Sequence, residues 1–201
     1  MGASRFKRKV GTRSYRKVFV ISTEGAVTEP AYFDHFSNDN IQIKILTHKT
    51  KNAPSDVLKR MMKYLEKEGS REGDQHWLVI DKDEWKHEQI KPLHDWAGEA
   101  SNRGLALSNP HFEYWLLLHF EKPKNGISSQ YIFKQLKKYL PGYDKSLSLR
   151  ELQKLKAHVH DAMRNARQKD SPKCKDWPRG HGATVYRLVE VLIKTVRLEN
   201  S

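Results

Sequence analysis

Residues 76–84 read HWLVIDKDE, a mostly apolar run that ends abruptly in acidic residues. A short, continuous apolar run of this kind is typical of a buried strand in a parallel sheet. Because residues i and i+2 of a strand point the same way, Asp81 and Asp83 are predicted to present two carboxylates to one point, while Lys82 faces elsewhere. The stretch therefore predicts a strand with an acidic carboxyl end.

A second strand of the same kind lies upstream. Residues 17–23 read KVFVIST and are followed by Glu24 and Gly25, so this strand also ends in a carboxylate, here with a glycine turn. Thr28 then offers a side-chain acceptor for a helix start, with Pro30 in the first turn. Strand, turn and helix succeed one another, as they do in a βα unit.

The alternation of strands and helices continues along the chain. Strands are predicted at 41–45, where isoleucines alternate with polar residues as at a sheet edge, and at 105–107. Helices are predicted at 54–68, with Met61 and Met62 in the core and Gly69 as the stop, and at 88–102, with Pro92 in the first turn. Repeated βα units predict an α/β fold, a parallel sheet flanked by helices, whose ligands bind beyond the carboxyl ends of the strands.

The pattern after Pro110 is helical. Helices are predicted at 112–120, 130–140, 149–167 and 183–197, and a basic loop without periodicity at 169–182. We therefore expect a flexible basic arm at 1–16, a catalytic core at 17–120 and a helical C-terminal extension at 121–201 that packs on the core.

The charge predicts a polyanion as partner. Lys and Arg outnumber Asp and Glu by 37 to 24, which gives a net charge of +13, as expected of a nucleic-acid binder. Solvated charge explains part of this excess. The candidate phosphate contacts are Arg13, Arg16, Lys17, Lys49, Lys51, Lys173, Lys175 and Arg179.

The remaining composition bears on compartment and metal. A lone cysteine, Cys174, excludes an internal disulfide and favours a reducing, cytoplasmic location. No apolar run is long enough to span a bilayer, so membrane insertion is not expected. His158 and His160 lie on a predicted helix where positions i and i+2 diverge, which disfavours a zinc site.

The acidic residues point to a different metal. Asp81 and Asp83 are hard oxygen ligands that suit Mg²⁺ or Mn²⁺. Taken alone, the pair is equally compatible with capping of the next helix, and Glu24 alone with a solvated turn residue. Their conjunction at two strand ends is what favours a metal site.

These residues resemble the Toprim superfamily, whose pattern is a glutamate after the first strand and D-x-D after a later one. The match is residue by residue at Glu24, Asp81 and Asp83. The segments at 20–25, 79–84 and 108–116 also resemble the RloB family, and this likeness runs from about residue 16 to residue 196. RloB proteins are associated with bacterial abortive-infection and restriction loci.

The resemblance implies a site and an activity. It makes Glu113 a fourth acidic candidate and Glu29, Ser108 and Asn109 supporting residues, and it implies Mg²⁺ or Mn²⁺ at the four carboxylates. Glu24 would act either as a metal ligand or as the general acid or base. His111 is expected only to pack, and Glu84 to lie on the surface. The expected activity is hydrolysis of phosphodiester bonds in RNA, with tRNA as one candidate, or in DNA.

The resemblance also implies a partner and a setting. The chain contains no P-loop, so a separately encoded ATPase of the AAA or ABC type is the expected partner in an antiphage response. Two alternatives stay open. One is a housekeeping Toprim ribonuclease of RNA maturation, and the other is a catalytically silent module that binds nucleic acid or a protein.

Overall fold

In the described part of the chain, five strands form one sheet and eight helices surround it. The structure is a computed structural model that describes residues 16–48, 53–83 and 85–198, with side chains as far as residue 195. In chain order the elements are β1 (Lys17–Thr23), α1 (Thr28–Asp34), β2 (Ile41–Leu46), α2 (Pro54–Glu68), β3 (Gln75–Asp81), α3 (His87–Gly98), β4 (Arg103–Asn109), α4 (Phe112–Leu117), α5 (Ser129–Tyr139), α6 (Leu149–Ala157), α7 (Val159–Lys169), β5 (Gly182–Ala183) and α8 (Val185–Leu198).

The sheet has the strand order β2-β1-β3-β4-β5. The first four strands are parallel, and β5 pairs antiparallel with the end of β4. Consequently the carboxyl ends of β1 and β3 are neighbours at one edge of the sheet. Residue 23 of β1 pairs with residue 79 of β3, and Asp81 pairs with Ser108 of β4. The predicted α/β fold with a parallel sheet, flanking helices and a helical C-terminal part is confirmed.

Each face of the sheet carries its own apolar core. On one face α1, α4, α5, α7 and α8 pack around fully buried Trp115, Phe33 and Tyr114. On the other face α2 and α3 cover the sheet, and Trp177 from the segment between α7 and α8 joins them. Strands covered on both faces have to be apolar throughout, and this is why β1 and β3 read as continuous apolar runs.

Several predicted details are wrong for physical reasons. The helix predicted at 149–167 is two helices that meet at His158, whose ring lies 3.2 Å from the Asp161 carboxylate. Met61 is fully buried, but its neighbour Met62 is 53% exposed, because adjacent helical residues face different ways. Pro92 lies inside α3 rather than in its first turn. Thr28 does not cap α1, since its hydroxyl donates to the carbonyl of Lys145.

Some predictions fall on residues outside the described ranges. They concern the basic arm up to residue 15, including Arg13, and Lys49, Lys51 and Glu84. Within the described residues, no helix is both long enough and apolar enough to cross a membrane.

Candidate active site

A cleft of about 510 Å³ opens at the carboxyl edge of the sheet. The turn after β1, the end of β3 and the turn between β4 and α4 form its inner part. Helix α5 and the loop between α5 and α6 form its outer part. The lining residues are Gly25, Ala26, Val27, Thr28, Glu29, Asp81, Asp83, His111, Phe112, Glu113, Ser129, Phe133 and Lys145. Four of them are carboxylates, so the cleft is acidic although the chain as a whole is basic.

Asp81 and Asp83 both line the cleft, as their spacing predicts. Asp81 is the last residue of β3. Asp83 lies beyond the strand with a φ of 31°, and its amide donates to the carbonyl of Pro110 at 2.9 Å. A positive φ is uncommon for aspartate, and the bond to the turn after β4 holds it. The two carboxylates share the cleft, but only Asp81 belongs to the strand.

Glu29, predicted as a supporting residue, lies in the cleft itself. Its Oε1 atom accepts a hydrogen bond from the amide of Gly25 at 2.9 Å. A side chain on Gly25 would displace this carboxylate, because an added Cβ would lie 2.2 Å from both carboxylate oxygens of Glu29. Burial, followed by the charge of nearby carboxylates such as Glu113, raises the pKa of Glu29 to about 7. Glu29 is therefore a proton-holding carboxylate near neutral pH.

Glu24 lies beside this carboxylate group and is less buried than Glu29. Its Oε2 atom accepts from the amide of Asp81 at 3.1 Å, and its Oε1 atom accepts from the indole N–H of Trp85 at 3.0 Å. Burial raises the pKa of Glu24, although the bond from Trp85 opposes the shift. Glu24 is not among the residues that line the cleft, and its predicted role as metal ligand or general acid–base group stays a prediction. Its observed contacts fix the backbone at Asp81.

Glu113 is held by two side chains. The hydroxyl of Tyr143 donates to its Oε1 atom at 2.8 Å, and Nδ1 of His111 lies 2.8 Å from its Oε2 atom. Burial acts to raise the pKa of Glu113, but His111 and Tyr143 together outweigh burial, so that pKa is lowered. His111 also stacks on Phe133, with ring centroids 5.1 Å apart. The packing expected of His111 is therefore real, and the ring contacts an acidic candidate as well.

The electrostatics of the cleft are unfavourable for bare carboxylates. Burial raises the pKa of Asp81 well above its ordinary value, and the charges of Glu29, Glu24, Glu113 and Asp83 raise it further. Like charges crowded into a poorly solvated site retain protons unless a cation neutralises them. Glu113, beside His111, instead has a lowered pKa.

The donor set suits a hard divalent cation. Carboxylate oxygens are the ligands that Mg²⁺ and Mn²⁺ prefer, and Asp81, Asp83, Glu29 and Glu113 would supply them. In the described part of the chain, no three His, Cys, Asp or Glu side chains are already arranged to hold one ion. Protein donors hold the carboxylates in their place, since Glu29 bonds to Gly25 and Glu113 to Tyr143. Binding of an ion would exchange some of these bonds for metal contacts.

The other predicted site residues are distributed more widely. Ser108 pairs with Asp81 across the sheet, and its hydroxyl is buried without a hydrogen-bond partner. The side-chain amide of Asn109 donates to the carbonyl of Pro178 at 3.0 Å, which links the basic loop to the end of β4. Neither side chain bonds to a carboxylate of the cleft.

The predicted basic residues that the structure describes do not line the cleft. Arg16, which pairs with Asp39, and Lys17 lie where β1 begins, at the opposite edge of the sheet. Lys173, Lys175 and Arg179 belong to the loop between α7 and β5, where Arg179 pairs with Asp176. Their contact with nucleic acid stays a prediction.

Sequence reasoning missed the outer wall of the cleft. Phe133 of α5 and Tyr143 and Lys145 of the next loop come from the segment expected to be a helical extension. No local pattern marks these residues, because long-range packing of α5 against α4 brings them to the carboxylates. The one hint was Lys145 within residues 141–147, PGYDKSL, a turn-rich interruption between two helical patterns.

Comparison with known proteins identifies one relationship. A family model described as RloB-like protein matches residues 19–192, which is most of the chain. The search of curated proteins returned no match. The search of solved structures likewise returned no match.

Proposed function

The chain belongs to the RloB-like family, and from this membership and the acidic cleft we propose that it is a metal-dependent nuclease of the Toprim type. Its substrate would be a phosphodiester bond in RNA, with tRNA as one candidate, or in DNA. The observation that carries the proposal is the position of Asp81, at the end of β3 with three other carboxylates in the same cleft. Two of the four, Glu29 and Glu113, are buried, and carboxylates crowded in this way with shifted pKa values concentrate at functional sites.

We assign the roles as follows. Asp81, Asp83, Glu29 and Glu113 would hold Mg²⁺ or Mn²⁺, and the ion when bound would stabilise charge on the phosphate and activate water. Glu24 would position Asp81 through the bond to its backbone amide. Tyr143 and His111 would orient Glu113. These contacts would keep the carboxylates close to one another, and metal binding would then exchange some of the bonds at Glu29 and Glu113 for metal contacts.

The charge of the chain supports a nucleic acid as substrate. A net charge of +13 attracts polyanions at long range, whereas the acidic cleft alone would repel them. Resemblance to RloB proteins further supports an antiphage role and a separately encoded ATPase of the AAA or ABC type as partner. Both belong to the proposal, as does a cytoplasmic location.

A cleavage assay tests the proposed activity. Purified protein is incubated with total tRNA, mRNA and plasmid DNA in Mg²⁺, in Mn²⁺ or in EDTA, beside Asp81→Asn and Asp83→Asn. These variants keep the side-chain shape and remove one charge each. We expect cleavage of at least one substrate class, its loss in EDTA, and a decrease of at least about 100-fold in each variant.

A matched variant controls for charge alone. Asp34→Asn removes the same charge from an exposed position on α1 and should leave the rate unchanged. Cleavage that survives in Asp81→Asn would contradict the assigned site. Absence of any cleavage by the wild-type chain, alone and with an ATPase of the proposed kind, would favour the silent binding module instead.

A further inference from the structure

A cation at the cleft would reduce the repulsion among the carboxylates and also the repulsion between the carboxylates and a phosphodiester substrate. A phosphodiester carries a negative charge, and four carboxylates line the space it would enter. A bound divalent ion offsets part of this repulsion. A fixed basic side chain at the mouth of the cleft would offset more and would also orient the strand.

Lys145 lies in the wall of this cleft. Of the described residues that line the cleft, Lys145 is the one lysine, and none is an arginine. It is exposed, whereas the carboxylates of Glu29 and Glu113 are largely buried. Lys145 is therefore a solvent-exposed residue in the outer wall of the acidic cleft.

The backbone at Lys145 is unusual and firmly held. Its φ of 55° lies in the left-handed region, which lysine seldom adopts because its Cβ crowds the backbone there. The hydroxyl of Thr28 donates to its carbonyl oxygen at 2.8 Å. Such conformations persist where surrounding contacts enforce them, and they concentrate at functional sites.

The same loop is tied to the acidic group. Tyr143, two residues before Lys145, donates to Glu113 at 2.8 Å, and its hydroxyl also lies 3.4 Å from that of Thr28. Glu113, Thr28 and the loop therefore form one hydrogen-bonded unit. A shift of the backbone at Lys145 would disturb this unit, so the backbone from which the lysine side chain extends is held close to the carboxylates.

We propose that Lys145 is a substrate-binding residue that contacts a backbone phosphate of the nucleic acid next to the bond held at the carboxylates. The ligand class is a phosphodiester strand, read by charge and not by base identity. This inference rests on the proposed function for its context. It predicts that residues 141–147 take part in substrate binding, although the sequence places them in a helical extension.

Lys145→Asn tests this proposal, with Lys145→Arg as the charge-retaining partner. Asparagine accepts the left-handed backbone better than most residues, so the substitution removes charge without adding strain. Lys63→Gln is the matched control, because Lys63 is an exposed lysine of α2, on the opposite face of the sheet. Thermal unfolding of all three variants verifies that they fold.

Binding is measured by fluorescence anisotropy with labelled oligo(U), oligo(dT) and tRNA in Ca²⁺, over a series of salt concentrations. We expect about three- to tenfold weaker binding for Lys145→Asn and a salt dependence reduced by about one ion. Lys145→Arg and Lys63→Gln should bind as the wild type does. Because cleavage is not read, the result stands even if no nuclease activity is found.

Equal affinity and equal salt dependence in Lys145→Asn and wild type would overturn the phosphate contact, even if the wild type cleaves. An equal loss in Lys63→Gln would also overturn it, since the effect would then be one of overall charge. If Lys145→Asn does not fold, Lys145→Gly supplies the same neutralisation on a backbone that glycine adopts freely.

Discussion

The carboxylate of Glu29 occupies the space that a side chain on residue 25 would fill, and Gly25 leaves this space open. An added Cβ would lie 2.2 Å from both oxygens, and the flexible carboxylate would have to move. Gly25→Ala is therefore expected to leave the fold intact, to displace Glu29 and to lower metal-dependent cleavage by about tenfold or more. Cleavage rates and thermal unfolding are measured together.

The control for this change is Gly98→Ala at the end of α3. No atom lies within 4 Å of the Cβ that would be added there, and alanine favours a helix by about 0.5–1 kcal/mol over glycine. We expect unchanged cleavage and equal or slightly higher stability. Equal cleavage rates in Gly25→Ala and Gly98→Ala would show that cleavage does not depend on the position of the Glu29 carboxylate.

Glu29 also makes stability depend on pH. Its pKa is about 7 in the fold, against an ordinary value of 4.5, because burial disfavours the charged form. The folded state therefore binds this proton more tightly than the unfolded state, and stability falls as pH rises from about 4.5 to about 7. Without divalent ions, Glu29→Gln should stabilise the protein at pH 8, on the order of 2 kcal/mol, and little at pH 4.

Urea unfolding at both pH values measures the effect of Glu29→Gln. Glutamine keeps an oxygen that accepts from Gly25, so the bond observed at 2.9 Å can persist. Glu66→Gln, at an exposed position of α2, is the control and should show no such pH dependence. A stabilisation by Glu29→Gln that is the same at both pH values would contradict a buried, proton-holding Glu29.

At the scale of elements, β3 and β4 pack closely at Gly104, where the Trp77 ring covers the glycine. This glycine pairs with Trp77 across the two strands, and an added Cβ would lie 2.4 Å from the indole ring. The ring is large and buried, so it has little freedom to move. Gly104→Ala should destabilise the protein by about 1–3 kcal/mol, measured by urea unfolding, and wild-type stability in that variant would show that the core adapts.

The sequence predicts long elements better than short or interrupted ones. β1 and β3 are evident because strands covered on both faces must be apolar. β5 has only two residues, too few to show any periodicity. The break at His158 is not evident either, because the apolar pattern continues from Leu155 to Val159 across it.

The same distinction applies to the site. Asp81 and Asp83 could be predicted as neighbours because they lie two residues apart at the end of one strand. The positive φ of Asp83 and the bond from its amide to Pro110 could not be predicted, because that bond is a long-range contact. Glu29 was expected only as a supporting residue. The structure instead places Glu29 in the lining of the cleft, with its carboxylate bonded to the turn at Gly25, and Glu24 is not among the lining residues. Lys145 reaches the site only through packing of distant helices, which no local pattern encodes.

At the scale of the whole molecule, the C-terminal helices complete the core as well as the cleft. Leu188, Val189 and Leu192 of α8 are fully buried in the core on one face of the sheet. The backbone amide of Leu107 in β4 donates to the Thr184 hydroxyl at 2.9 Å. A chain cut after residue 120 would expose this surface.

We therefore expect the fragment 1–120 to lack a cooperative unfolding transition, as followed by circular dichroism during heating. The loss of a buried face costs far more than the stability margin of about 5–15 kcal/mol that proteins possess. The full chain treated in parallel is the reference. A fragment that unfolds cooperatively would show instead that residues 17–120 form an independent domain.

Direct measurement of Mn²⁺ binding tests the central claim, that the carboxylates of the cleft form a divalent-cation site. Titration followed by electron paramagnetic resonance compares the wild type with Asp81→Asn, with Asp34→Asn as control. We predict saturable binding that is lost in Asp81→Asn and retained in Asp34→Asn. The binding should tighten as pH rises through about 7, because the ion competes with the proton of Glu29, whose pKa is about 7. Absence of saturable binding in the wild type, or equal binding in Asp81→Asn, would contradict the claim.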